Sequence, residues 1–314
     1  MSDNAKTLEA MWPKPSDFQV VAHLVRAGLV ESFHHGIAAV TNPEGKVIDS
    51  IGKSKRLIFP RSTVKPLQAI AMKRVGLNLE GAQLAISAGS HLATKAHIEL
   101  VDQILSSAGL GEDDLQCPSV VGKSGENRRA SYNCSGKHAG FLAACVAAGY
   151  PVESYLEFDH PLQLVVKEVI EEYTAEPILF TTVDGCGAPL HTVTVEGLAR
   201  AIGRFSRDDE QIRDAMLQNG WAVDDHGTDD TLMLEAGIVA KLGAEGVFVA
   251  GTKEGFGVAV KIADGQLRAA ALVALSLLHR NELISTQSFE SLTNQIAEKV
   301  KGGDNVIGRL ESIV

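Results

Sequence analysis

Gly36-Ile37-Ala38-Ala39-Val40-Thr41-Asn42-Pro43-Glu44-Gly45-Lys46-Val47-Ile48 reads as two strands and the turn between them. Gly36–Thr41 is short and rich in β-branched and apolar residues. Asn42-Pro43-Glu44-Gly45 carries turn chemistry, and Lys46-Val47-Ile48 starts a returning strand, so the stretch predicts a β-hairpin with a four-residue loop. A lone hairpin is not stable in water, so it needs partner strands. Gln19–Arg26, just upstream, has the same character. Others return late in the chain. Gly246–Ala250 and Phe256–Ile262 are β-rich, Ala263-Asp264-Gly265 is a turn signal, and Gln266–Ala270 is the expected partner strand. Between these ends, Pro66–Val75, Thr94–Ala108, Gly136–Ala148, Pro161–Tyr173, Val195–Phe205, Asp208–Gln218 and Asp229–Lys241 place apolar residues at helical spacing. The tail, Ala270–Leu278 and Phe289–Val300, is helical again. Strands at both ends around a helical middle predict one antiparallel sheet, joined from the N- and C-terminal strands. Helices cover it, and a helical subregion sits to one side, an α+β layer architecture.

Composition agrees with a folded enzyme-sized chain. The 314 residues are 45% hydrophobic and 22% charged, enough to build a core. The formal net charge of −10 comes with no basic block. That argues against a nucleic-acid binder and against attraction to anionic membranes. The longest apolar runs, such as 269–275, fall far short of the ~20 residues of a membrane span. The start has no basic segment followed by an apolar run. A cytoplasmic protein is expected. Residues 1–17 are polar with Pro13 and Pro15 and read as a flexible tail, leaving 18–314 as one catalytic domain.

Three stretches carry chemistry. Arg61-Ser62-Thr63-Val64-Lys65-Pro66 puts a serine and a lysine about one helical turn apart, on the same side of a helix start. A neutral lysine there could take the serine's proton, with free N–H groups of the helix start as an oxyanion hole. On spacing alone Ser62 reads more simply as an N-cap and Lys65 as a solvated residue, and the same spacing recurs at Ser50 and Lys53. To act as a base Lys65 must be buried or placed near another cation, because a free lysine titrates near 10.4. Arg61 and Lys261 are the expected neighbours. In the second stretch, Asn133-Cys134-Ser135-Gly136-Lys137-His138, a thiol, an amine and an imidazole open a helix. The third, Asp184-Gly185-Cys186-Gly187-Ala188-Pro189, joins a carboxylate and a thiol in a turn. Two thiols with nearby N/O donors could hold zinc, although no C-x-x-C pair is present. A Cys134 nucleophile with His138 as base is a rival. Two structural cysteines are a third reading. Ser90-His91 sits in a small-residue loop between helices. Asp224–Asp230 reads as a solvated, acidic helix start.

Taken in order, these motifs resemble the asparaginase II family of the Rhizobium etli type. Arg26-Ala27-Gly28, Val30-Glu31-Ser32-Phe33-His34, Phe59–Pro66, Ser90-His91, Asn133–His138, Asp184–Pro189 and Lys261–Gly265 carry the resemblance, which spans residues 20–280. It implies a fold similar to serine β-lactamases and penicillin-binding proteins. The implied activity is hydrolysis of L-asparagine to L-aspartate and ammonia by a homodimer. By motif match, Ser62 pairs with Lys65 and Ser90 with Lys261. Cys134, Lys137 and Cys186 match a zinc site with a lysine ligand, Asp184 lies beside it, and Arg61, His91 and Cys186 face the substrate. The family's Ser-Gly-Glu after the histidine is here Leu92-Ala93-Thr94.

Two alternatives remain. A glutaminase or penicillin-recognising hydrolase would use Ser131-Tyr132-Asn133 as an S-x-N element and Lys253-Glu254-Gly255 in place of K-T-G. A protein of another class would bind zinc or an amide without turning it over.

Overall fold

The computed structural model describes residues 8–314. In chain order its strands are β1 (Gln19–Arg26), β2 (Leu29–Thr41), β3 (Val47–Ile51), β4 (Leu57–Ile58), β5 (Val120–Val121), β6 (Asn127–Arg128), β7 (Thr181–Val183), β8 (Pro189–His191), β9 (Val193–Thr194), β10 (Val239–Gly243), β11 (Val247–Gly251), β12 (Gly257–Ile262), β13 (Lys299–Gly302) and β14 (Asn305–Ser312). The hairpin read at 36–48 is the hub of the main sheet. The first half of β2 pairs with β1, through a two-residue turn at Ala27-Gly28 with φ of 49° and 82°. Positive φ at both turn positions suits the twist of the strands. The second half pairs with β3, Ala38 opposite Ile51. The other edge of β2 takes β12, Gly257 opposite Thr41 and Ile262 opposite Gly36. The order β10-β11-β12-β2-β1-β14-β13 is antiparallel throughout, so N- and C-terminal strands build one sheet as expected.

Side-chain alternation along the strands separates two cores. Ile37 and Ala39, with Val247, Val249 and Ala259, face the helical middle of the chain. Ala38 and Val40, with Phe248, Val258 and Val260, face the helix Ala270–Arg280. That helix is buried from Ala270 to Leu278. It is apolar on most of its surface because it lies between the sheet and the helix Thr286–Ile296. Each fully buried leucine there contributes about 1.5–3 kcal/mol. On the opposite face the helix Val195–Asp208 crosses the sheet at close range. A Cβ at Gly203 would come 2.5 Å from the Gly255 carbonyl oxygen, so only glycine allows the approach.

Several elements differ from expectation. Asp229–Lys241 is not one helix: it is helical over Asp229–Glu235, and β10 follows. Gln266–Ala270 is not a strand, because Ala270 already opens a helix. The expected terminal helix stops at Ile296, and the chain closes as the hairpin β13–β14 against β1. From Leu8 onward the predicted tail is tied down. Trp12 packs edge-on against Phe59, with ring centroids 4.9 Å apart. Asp17 is buried and bound by Arg56 (2.7 Å) and Lys53 (2.9 Å). Residues 1–7 of that tail lie outside the described residues. Among the described residues no helix is long and apolar enough to cross a membrane.

Candidate active site

The strand pair β4–β9, Leu57 opposite Thr194, brings Phe59-Pro60 alongside the β7–β8 hairpin. The chain then makes a 3₁₀ turn, Arg61–Val64, and runs into the helix Lys65–Arg74. The N–H and hydroxyl of Thr63 both donate to the Pro60 carbonyl (3.3 and 2.7 Å) and fix the turn. Arg61 is left-handed, with φ of 52°. That backbone is uncommon for a long side chain, and it is held by Arg61 Nε donating to Asp184 Oδ1 at 2.8 Å. Asp184 itself is fixed by the β7–β8 turn, its N–H donating to the Ala188 carbonyl (2.9 Å). On the other side lies Gly243, the last residue of β10. A Cβ there would sit 2.8 Å from the Pro60 oxygen and 3.2 Å from the Ser62 nitrogen. The edge of the sheet therefore rests directly on the serine's backbone.

Arg61, Ser62, Lys65, Lys137, Asp184 and His191 line a narrow cleft of about 10 Å³, room for about one water. Ser62 is half-buried, whereas Lys65 is 1% exposed. Lys65 Nζ contacts the Ser90 hydroxyl (3.0 Å) and the carbonyls of Gly89 and Asn133. Burial lowers its pKa, helped by Lys137 and Lys241 and opposed by Cys134. A neutral amine in this setting donates its two N–H bonds to the Gly89 carbonyl and to Ser90 Oγ, which leaves its lone pair free to take a proton. Ser62 makes no hydrogen bond to Lys65 here, although the two share the cleft.

The expected Ser90–Lys261 pair is not formed. Lys261 Nζ donates to the carbonyls of Glu245 (2.7 Å) and Ile262 (2.5 Å). The second lysine near the serine is Lys241 on β10, two residues before Gly243. It is completely buried and bound to Asp230 at 2.6 Å. Both Asp230 oxygens also accept from the Leu242 N–H (2.8 and 3.1 Å). Asp224 is 3% exposed, and burial and the Asp230 carboxylate push its pKa up to about 6. The acidic stretch 224–230 thus starts and ends in the interior, against the expected solvated helix start. Local sequence hides Lys241, because the lysine looks solvated until a carboxylate 11 residues away folds onto it.

Cys134, Lys137 and Cys186 do come together. Cys134 caps the helix Ser135–Ala148, Lys137 lies in its first turn, and Cys186 comes from the β7–β8 turn. Lys137 Nζ donates to Cys186 Sγ at 3.2 Å, and all three are buried. A hydrogen bond from Cys186 holds Cys134 well below the usual thiol range against the effect of burial, with help from Lys65 and Lys137. The same bond and burial push Cys186 up. Burial favours a neutral Lys137, but the sulfurs of Cys186 and Cys134 outweigh it and raise its pKa. Among the described residues no group of three or more His, Cys, Asp or Glu is placed to hold a metal ion. The donor set here is two sulfurs and an amine, of the soft type that suits zinc once protons leave.

The histidines are placed differently from expectation. His91 is 1% exposed and does not line the cleft. Its Nδ1 accepts from the Ala93 N–H (3.2 Å), so Nε2 carries the proton to Ser135 Oγ (2.9 Å). Both ring nitrogens are thus engaged, one within the Ser90 loop and the other at the start of the helix Ser135–Ala148. His138 is fully buried, with Nδ1 on the Tyr155 hydroxyl (2.7 Å), so the Cys134–His138 nucleophile is not assembled. The S-x-N alternative also fails to form, because Ser131 is buried and donates to the Glu126 carbonyl (2.9 Å). Lys253-Glu254-Gly255 lies in the β11–β12 turn, while Lys241-Leu242-Gly243 takes the place beside Ser62. His191, which no sequence motif marked, lines the cleft.

The model of the L-asparaginase II family matches residues 22–312. The chain belongs to the L-asparaginase II family. Membership makes it an amidohydrolase. No curated protein sequence matches it significantly. Among solved structures, this asparaginase II chain is similar to a β-lactamase from Mycobacterium bovis, at 17% identity, covering 88% of this chain and 98% of that one with a TM-score of 0.46. It is also similar to a Bacillus glutaminase, at 13% identity, 79% and 91% coverage and a TM-score of 0.43. The protein Mglu, in its native form, matches at 13% identity, 96% and 73% coverage and a TM-score of 0.48.

Proposed function

We propose that the protein hydrolyses the side-chain amide of L-asparagine to L-aspartate and ammonia, with Ser62 as nucleophile. The observation that carries this reading is the placement of Ser62. It lines the cleft, while Lys65 is buried behind it with its amine on Ser90. Ser62 Oγ attacks the carboxamide carbon, and the hydroxyl proton passes to the neutral Lys65 amine. Lys65 and Ser90 then relay that proton to the departing nitrogen, and ammonia leaves. Water attacks the Ser62 ester, gives its proton back through Lys65, and frees L-aspartate. The Ser62 N–H, in the first turn of a helix, is a suitable donor to the oxyanion. Arg61 and Asp184 present a charge of each sign to an amino-acid head group. Lys241, held by Asp230, adds a buried positive charge near Lys65.

Zinc is part of the proposal. Cys134, Lys137 and Cys186 would hold it, with Lys137 giving up its proton. Bound zinc would act as a Lewis acid that orients the substrate. The family resemblance also supports a homodimer.

Ammonia release from L-asparagine, L-glutamine and D-asparagine tests the reading on wild type and Ser62→Ala. L-Asparagine is expected to be the best substrate, and Ser62→Ala to lose activity by about a thousandfold or more. Preferred turnover of L-glutamine would move the assignment to a glutaminase. Zinc binding without any ammonia release would favour a binding protein.

A further inference from the structure

Among the described residues that line the cleft, His191 alone keeps a buried polar atom, Nε2, without a hydrogen-bond partner. The residue is 5% exposed, so bulk water does not serve that nitrogen freely. Buried polar groups are nearly always paired, and an exception calls for an explanation such as a missing water, ion or ligand. The strand does not need an imidazole at this position. His191 sits opposite Thr181 across β7–β8, where any well-packed side chain would serve.

The other ring nitrogen sets the chemistry of Nε2. Nδ1 lies 2.9 Å from Thr181 Oγ1. With the hydroxyl donating to Nδ1, the proton of a neutral ring lies on Nε2, which is then a donor. Burial pushes the pKa of His191 down to about 4, so the ring is neutral at ordinary pH. The charged groups that bear directly on the ring are Lys167 and Glu171, and the rest of the cleft is lined by the cations Arg61 and Lys137 and the single carboxylate Asp184. A cleft with an excess of positive groups and one free neutral donor suits an anionic oxygen.

We propose that His191 is a specificity-determining residue, donating Nε2–H to the α-carboxylate of an amino-acid amide. The role rests on the amidase reading. His191 takes no part in breaking the amide bond. It gives binding energy to amino-acid amides and withholds it from plain amides of the same length.

The test uses full-length protein, wild type, His191→Phe and His191→Gln. Phenylalanine keeps the ring shape and removes the donor, and glutamine restores an N–H. KM and kcat for L-asparagine are measured by ammonia release. The affinity for 3-aminopropanamide, which lacks the α-carboxylate, is read as competition against L-asparagine. His191→Phe is expected to raise KM for L-asparagine about tenfold or more, the loss of one hydrogen bond to a charged group, with kcat within about threefold of wild type. Its affinity for 3-aminopropanamide is expected to be unchanged, and His191→Gln to recover most of the KM. Unchanged KM in His191→Phe overturns the proposal, and so does an equal loss on both amides. A kcat collapse with KM preserved overturns it too, because it makes His191 part of the chemistry. If wild type itself releases no ammonia from L-asparagine, the amidase reading fails first and takes this one with it.

Discussion

Replacing Asp230 with alanine is expected to cost a large share of the stability of the molecule. The carboxylate and the Lys241 ammonium are both fully buried, 2.6 Å apart. Asp230 also accepts the Leu242 N–H on the same strand. Asp230→Ala leaves an ammonium without its partner in the interior, which costs about 3–5 kcal/mol. It also orphans a backbone donor, worth about 1–3 kcal/mol in its own right. The two overlap, so a loss of about 4 kcal/mol is expected. For a total stability of about 5–15 kcal/mol, that is a large share. Urea unfolding followed by the fluorescence of Trp12 and Trp221 reads it directly. The double variant Asp230→Leu with Lys241→Met removes both charges. It is expected to recover at least half of the loss, since an apolar pair can replace a buried ion pair. Activity is not expected to return with it, because Lys241 stands beside Gly243 and Ser62. A loss under about 1 kcal/mol in Asp230→Ala, or a double variant no more stable than the single one, would refute the reasoning.

The remaining predictions follow from the same neighbourhood. Asp224→Asn should stabilise the protein at pH 8 relative to wild type and change little near pH 4. The folded pKa is raised from 3.8 to about 6, so the aspartate's contribution is fully present below about 3.8 and is lost as pH rises through about 6. Asparagine keeps the neutral form, and the gain at pH 8 is about 3 kcal/mol from a shift of about two units; equal benefit at both pH values would contradict it. Gly243→Ala should keep the fold but lower kcat/KM about tenfold to a hundredfold, because the new methyl presses on the Pro60 oxygen and the Ser62 nitrogen. Wild-type kinetics in this variant would mean that the sheet edge does not position Ser62. Chelation of zinc-loaded protein should lower its melting temperature, and Cys134→Ser with Cys186→Ser should abolish that difference. A melting temperature unmoved by chelation in the wild type would remove zinc from the account.

The elements that carry the sheet were legible where pattern and turn chemistry agreed. Gly36–Ile48 combines β-branched residues with an Asn-Pro-Glu-Gly loop, and its hairpin formed in place. The helices opening at Pro161 and Val195 also lie where the apolar spacing put them. β10 was hidden because Val239-Ala240-Lys241 continues the apolar spacing of the helix before it, so only tertiary pairing ends that helix. The β13–β14 hairpin is mostly exposed and carries lysines and glycines among its few apolar residues, so it lacks the apolar alternation of a buried strand. At the site, Ser62, Lys65 and the cysteine loops stood out because unusual residue types cluster there. Lys241 and His191 did not stand out. Their importance comes from burial and from partners, Asp230 and Thr181, which the fold brings across from other elements. Lys261 and His91 looked suitable by motif, yet each spends its polar atoms on neighbouring backbone or on Ser135.

The most direct test of the central claim is to trap the acyl-enzyme. The protein is mixed with L-asparagine, quenched in acid within one turnover, digested, and mapped by mass spectrometry. The account predicts an aspartyl adduct on the peptide carrying Ser62, absent in Ser62→Ala, with Ser90 unmodified. An adduct on Ser90 or Cys134, or steady ammonia release with no adduct in Ser62→Ala, would contradict it.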